Sequence, residues 1–566
     1  MLDGVEVMID MTKPMTQILK ISMKFKPDNH FQEILLPAWT PGSYKIRDHA
    51  QFLYGLVAKQ NSEKLTITRV GVSKWTLSLI DLANIELTYY IEARASSVRT
   101  SYIDDQYATL TLSNIILLVN EKRHSHHNLE LVLPEGWKSY ISLDRNGICY
   151  EALNYDQIVD APLFAGDFSV KTLYVKECEH KILCIGQPPK GWPINLISDI
   201  ESICESACQI MDESPPSGNR YLFIIEILEK AYGGLEHDNS TFIQFDWRTL
   251  YQDNGYRRLL RLIGHEYFHQ WNIRRLRPKE YISYDYNSSV ISESLWFAEG
   301  ITSYFDLLLP MLSGNSSPDL YLEDLSFEIS KALDTPGRYI QSISDSSKEA
   351  WIKLYNSTSA SVDTQVSYYR FGILLSLCLD VYLRKVGSSL PMFLRLIWRK
   401  FSSTGDGYTR SELKLELQKI EESLPDKLDL WLDEPDSLPL NSVLSDLGLL
   451  LTQTNTNLVD TGMSIVEDAD CFFINRIAYQ SPGFFADVSI GDQIIAINNF
   501  RITNLSDFND FFTPDEKALL TYFRKGRLFN CYITPRMVKE PTWNLVVDKN
   551  SSDDASHLRK EWLKVI

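Results

Sequence analysis

The chain lacks a basic run, a recognisable export signal and a second cysteine pair, and each absence removes a class of explanation. Acidic residues outnumber basic ones by 74 to 56, a formal net charge of −18, so no nucleic-acid-binding surface is expected. Residues 1–6 (MLDGVE) have neither a basic start nor an apolar core, which predicts no signal peptide. The most apolar run of the C-terminal half, residues 373–383, is interrupted by Asp380 and is too short to span a bilayer, so no membrane association is expected. The eight cysteines are scattered. Cys204 and Cys208 stand one helical turn apart with no second pair near them in sequence, and read as buried thiols rather than a metal site. These features predict a reducing cytoplasm.

What is present centres on Gly264-His265-Glu266-Tyr267-Phe268-His269-Gln270-Trp271-Asn272. On a helix, His265 and His269 sit at i and i+4 on one face, where two imidazoles can bind one Zn²⁺. Glu266 beside them is positioned to act as a general base. The preceding residues 256–263 place Leu259, Leu260, Leu262 and Ile263 on a broad apolar face, as a buried helix requires. A third ligand from the same segment is absent, because Asn272 and Arg275 stand where Gly and His would be needed. It must come from elsewhere, and Glu299 in Leu295-Trp296-Phe297-Ala298-Glu299-Gly300 is the candidate. In so apolar a run an unpaired carboxylate is costly to bury, and coordination removes that cost. Glu293 and Asp285 are the competing ligands. The string His124-Ser125-His126-His127 reads as a solvated turn.

With 566 residues the chain should divide into about three or four domains. A multidomain α+β protein is expected. Residues 1–170 alternate with period two and predict an all-β sandwich or saddle-shaped sheet. Within them Leu36-Pro37-Ala38-Trp39-Thr40-Pro41-Gly42-Ser43-Tyr44 is a rigid loop, equally a cleft wall or a structural corner. Residues 171–312 hold a buried strand, 221–228, and then Tyr232-Gly233-Gly234-Leu235-Glu236-His237. The glycine pair, Gly233 and Gly234, lets a backbone approach a strand or a bound peptide, and Glu236 could hold an ammonium group. Residues 313–441 read as an α-helical lobe opened by Ser367-Tyr368-Tyr369. Residues 442–540 return to short strands, and 541–566 form a polar tail.

Taken together these motifs resemble the PDZ-bearing glycyl aminopeptidase family of gluzincin zinc peptidases. The resemblance rests on P-A-W-T-P-G-S-Y at 37–44, G-G-L-E-H at 233–237, H-E-Y-F-H-Q-W-N at 265–272, L-W-F-A-E-G-I-T-S-Y at 295–304 and S-Y-Y at 367–369. It implies an N-terminal β domain, a thermolysin-like catalytic domain, a helical domain and a C-terminal PDZ-like domain. It further implies zinc on His265, His269 and Glu299, with Glu266 as general base and Glu236 gripping the substrate's α-ammonium group. Tyr369 is implied as donor to the oxyanion; related aminopeptidases carry Lys where this chain has Phe371, which keeps Tyr368 open for the same role. Leu447, Gly448 and Leu449 are implied as a carboxylate-binding loop for a PDZ peptide ligand. The expected activity is removal of small N-terminal residues, Gly or Ala, from peptides with a free amino terminus. The alternatives are an endopeptidase recruiting polypeptides through the PDZ domain and a catalytically silent peptide-binding scaffold.

Overall fold

The computed structural model describes residues 4–402 and 404–564; residues 1–3 of the expected N-terminal domain and 565–566 of the tail lie outside them. The N-terminal part is β-rich. Alternating strands such as Val5–Asp10, Ile18–Phe25 and Ile85–Glu92 turn one face inward. They belong to an eight-stranded sheet that shares its core with two four-stranded sheets. The loop through residues 36–44 departs from this core. Trp39 and Tyr44 are buried in the central hydrophobic cluster of the molecule instead, among residues such as Trp271, Leu295 and Phe305.

The central sheet has five strands: β1 (Val170–Val175), β2 (Cys178–Ile185), β3 (Arg220–Leu228), β4 (Tyr232–Glu236) and β5 (Ser240–Asp246), in the order β1-β2-β3-β5-β4. Strand β3 is apolar nearly throughout because both its faces are covered, as is usual for a strand with parallel neighbours on each side. Strand β4 lies at the edge and pairs antiparallel with β5, so its other side is free of strand partners. Helix α1 (Leu196–Met211) makes the crossover from β2 to β3, and helix α2 (Gly255–Phe268) follows β5.

A five-residue π-turn, Trp296–Gly300, leads into helix α3 (Ile301–Leu312). Such turns shift the register of the side chains that follow and occur often at functional sites. Helix α4 (Tyr368–Lys385) crosses this segment with Gly300 and Gly372 back to back; a methyl on either would stand 2.5 Å from the other's Cα. By length and composition the stretch Ser361–Lys385 passes as a membrane span, more than the 373–383 run suggests, yet 78% of its apolar window is buried in the fold.

Beyond the helices, strands Leu449–Asp460 and Arg536–Val547 form a two-stranded ribbon, and between them a separate six-stranded β domain closes on its own core. The ribbon lies on helix Pro318–Leu333, where Ser326 and Ser330 donate to the Trp543 carbonyl at 2.9 and 3.0 Å. One strand thus runs through position 541, where the tail was expected to begin. The last helix, Asp553–Lys564, is anchored by Trp562, which is fully buried and donates to the Tyr304 hydroxyl at 2.8 Å. The residues expected as a carboxylate loop lie away from the six-stranded domain. Leu447 and Leu449 are buried in the central core, and Arg559 donates to the carbonyls of Leu447 and Gly448 at 2.8 and 2.9 Å. The physical reason is local: helix Leu440–Asp446 runs straight into them, so their apolar side chains continue its buried face.

Candidate active site

The last turn of α2 carries His265 and Glu266, and His269 caps it in helical conformation, so the i, i+4 spacing delivers both imidazoles to one side. Their rings meet edge to face at 4.6 Å. Each ring is locked from behind. His265 Nδ1 pairs with Asp306 Oδ2 at 2.9 Å, and His269 Nδ1 with the Asn272 carbonyl at 3.0 Å. With those nitrogens engaged, both Nε2 atoms turn inward, where Glu299 Oε2 stands 3.5 Å from His265 and 3.3 Å from His269. Asn272 ties the two segments together by donating to the carbonyls of Phe297 and Ala298 at 2.8 and 2.9 Å.

Do these atoms suit a metal ion? Ligands about 2.0–2.2 Å from a tetrahedral Zn²⁺ stand about 3.3–3.6 Å from one another. The histidine–Glu299 separations match, and the three ligand atoms all lie within 4.8 Å of one another. Outer partners that fix the imidazoles' orientation are what a metal-binding histidine needs. Glu299 is held well below the usual carboxylate range: burial alone would raise it, but His269 and His265 outweigh that. The donor set fits zinc.

A second grouping of carboxylates and imidazole, Glu236, Glu266 and His269, is equally compact but chemically different. Glu236 Oε1 and Glu266 Oε2 are buried and accept no hydrogen bond. Buried oxygens in that state cost free energy, so donors belong opposite them. They face a cavity of about 390 Å³ whose walls also include Gly42, Arg99, Tyr355 and Tyr369. Burial raises Glu266 to about 7, against the opposing pull of His265 and His269. A carboxylate so poised can both take and return a proton near neutrality.

Strand β4 passes directly over Glu266. A methyl on Gly234 would stand 2.3 Å from Glu266 Cδ, which explains a glycine there; Gly233, at φ +147°, faces Arg99, whose Nη2 donates to the Gly234 carbonyl at 3.2 Å. Gly234→Ala is therefore expected to displace the Glu266 carboxylate. Turnover should fall by up to about 10²-fold, with metal content by atomic absorption unchanged; unaltered turnover would show that the strand yields.

The two tyrosines divide clearly. Tyr369, near the start of α4, lines the cavity, its ring 6.3 Å from that of His265 and its hydroxyl 2.9 Å from the Tyr355 hydroxyl. Tyr368 is fully buried, stacked on Tyr369 at 4.8 Å. The competing ligands stand apart: Glu293 pairs with Arg410 at 3.4 Å, and the Asp285 carboxylate accepts from the Asn287 amide at 2.9 Å. Among the described residues His124, His126 and His127 enter no ligand group.

Sequence reasoning missed three residues. Asp306 lies two turns beyond Glu299 on α3, a spacing that could have found it. Tyr355 left no local signal, and Tyr44 stood only as the end of the 36–44 loop, with no role of its own. The Tyr44 hydroxyl donates to Glu299 Oε1 at 2.9 Å across 255 residues of sequence; burial raises its pKa far above the ordinary phenol value, so it keeps its proton.

Comparison with known proteins adds to this geometry. Residues 258–375 match the family model of the M61 glycyl aminopeptidases, and residues 6–167 match that of the M61 peptidase N-terminal domain. The crystal structure of an aminopeptidase N family protein from Idiomarina loihiensis is 26% identical, with a TM-score of 0.90 over 99% of this chain and 100% of that one. An M1 zinc metallopeptidase from Deinococcus radiodurans is 12% identical, with a TM-score of 0.48 over 78% of this chain and 95% of that one. Yeast LTA4 hydrolase in complex with bestatin is 12% identical, with a TM-score of 0.47 over 79% and 70%. No curated protein sequence matches.

Proposed function

We propose that the chain is a zinc-dependent aminopeptidase that removes small N-terminal residues, Gly or Ala, from peptides. The observation that carries this reading is the pair of buried, unpartnered carboxylate oxygens on Glu236 and Glu266, beside the His265–His269–Glu299 set. The ligand set alone supports a metallopeptidase. The added acceptor at Glu236, at the end of the free strand edge, is what an α-ammonium group with three donors would satisfy. The matches to M61 glycyl aminopeptidase models support both the activity and the preference for small residues.

Bound zinc would polarise the scissile carbonyl and lower the pKa of a water toward neutrality. The chain's own residues do the rest. Glu236 pairs with the substrate's amino terminus and sets the register, so that the first peptide bond lies over Glu266. Strand β4 offers its free edge to the substrate backbone as an antiparallel partner. Glu266 takes a proton from the attacking water as the new C–O bond forms, and returns it to the leaving nitrogen as the C–N bond breaks. Tyr369 donates a hydrogen bond to the oxyanion, while the Tyr355 hydroxyl orients it from behind.

Acetylating the peptide's amino group tests the reading. It removes the charge and two of the three donors that Glu236 would meet, worth about 1.5–3 kcal/mol, and kcat/KM should fall by about 10- to 10²-fold. Cleavage of acetylated and free peptides at equal rates would make the protein an endopeptidase.

A further inference from the structure

We infer that Tyr44 is a positioning residue for the metal site: its hydroxyl occupies Glu299 Oε1 and so leaves Oε2 as the carboxylate's single ligand atom. This rests on the zinc reading above and concerns which oxygen of Glu299 is available and what holds it. Both histidine Nε2 atoms stand against Oε2, at 3.5 and 3.3 Å, whereas Tyr44 donates to Oε1 at 2.9 Å. The two oxygens of one carboxylate are thus assigned to different partners by the protein itself. A hydrogen bond to the outer oxygen also fixes the plane of the carboxylate.

Tyr44 is suited to that task because it is closely packed. Its ring is 1% exposed and meets Tyr281, Trp351 and Tyr355 edge to face at 5.9, 6.1 and 5.6 Å. Its loop is anchored at the other end, where the Ala38 amide donates to the Tyr286 carbonyl at 2.7 Å and the Trp39 indole to the Asp285 carbonyl at 2.9 Å. Two residues before Tyr44, the backbone at Gly42 presses on Glu236: a methyl there would stand 2.8 and 2.9 Å from its two carboxylate oxygens. A single loop of the N-terminal β-rich part therefore holds the ligand carboxylate through Tyr44 and passes close beside the ammonium-binding carboxylate at Gly42. The metal site is complete only when that part is docked.

The test is Tyr44→Phe, which keeps the ring packing and removes one hydroxyl. Zinc affinity is measured by competition with a chromophoric chelator. The visible absorption of the Co²⁺-substituted protein is recorded in parallel, because its intensity reports coordination number. The inference predicts a dissociation constant for zinc raised by about 10- to 100-fold. It also predicts weaker cobalt bands, as the freed Oε1 joins the metal and coordination expands. Unchanged affinity overturns the inference. So does weaker affinity with unchanged cobalt bands, which would give Tyr44 a packing role only. Wild-type protein that binds neither metal at this site would overturn the zinc reading itself, and this inference with it.

Discussion

Replacing Glu266 by glutamine should abolish most turnover while leaving the metal in place. The amide has nearly the volume of the carboxylate, and Glu266 lies outside the grouping of His265, His269 and Glu299. It cannot accept a proton at neutral pH, so both the attack by water and the departure of the amine lose their proton carrier. General acid–base catalysis of this kind contributes about 10²–10⁴ in rate, and a loss of that order in kcat is expected, with KM little changed. Steady-state kinetics with a glycyl substrate, paired with metal analysis of the same sample, checks it. Turnover within a few-fold of wild type would remove Glu266 from the mechanism; loss of the metal would make it a structural residue of the site.

The second large effect is expected at Tyr369. A donor to a developing oxyanion is worth about 2.7–4 kcal/mol, so Tyr369→Phe should lower kcat by about 10²–10³-fold. KM should stay nearly constant, because the oxyanion does not exist in the ground state. The neighbouring Tyr368→Phe provides the control. That residue is buried under the ring of Tyr369 and contributes no wall to the cavity, so its loss should lower kcat far less than that of Tyr369. If Tyr368→Phe were the more damaging of the two, the donor would have to be reassigned.

The parts of the site that could be read from sequence are those governed by local periodicity. His265, Glu266 and His269 are fixed by one helical turn. Glu299 stands out because a carboxylate in an apolar helix needs a reason, and Asp306 could have been found two turns further along the same face. Glu236 closes a short strand that holds the glycine pair, and its role comes from the resemblance of G-G-L-E-H at 233–237 rather than from periodicity. The β-rich N-terminal part and the helical lobe are likewise visible in their period-two and helical patterns. Tyr44 and Tyr355 lie outside such reasoning. Each reaches the site through a loop whose path is set by distant packing, Tyr44 by the insertion of Trp39 into the central core. The three residues 447–449 show the opposite error. Their Leu-Gly-Leu pattern resembles a peptide-binding loop, but the same pattern serves a helix end whose leucines continue into a buried core, and only the tertiary contacts separate the two. Local chemistry was legible where its partners were near in sequence.

In the function proposed here, two imidazoles and one carboxylate converge on a single metal ion. Anomalous diffraction at the zinc edge from crystals of the zinc-loaded protein tests it most directly. One peak is expected, about 2.0–2.2 Å from His265 Nε2, His269 Nε2 and Glu299 Oε2. A peak elsewhere in the molecule, or none here in protein that hydrolyses glycyl peptides at full rate, would contradict it.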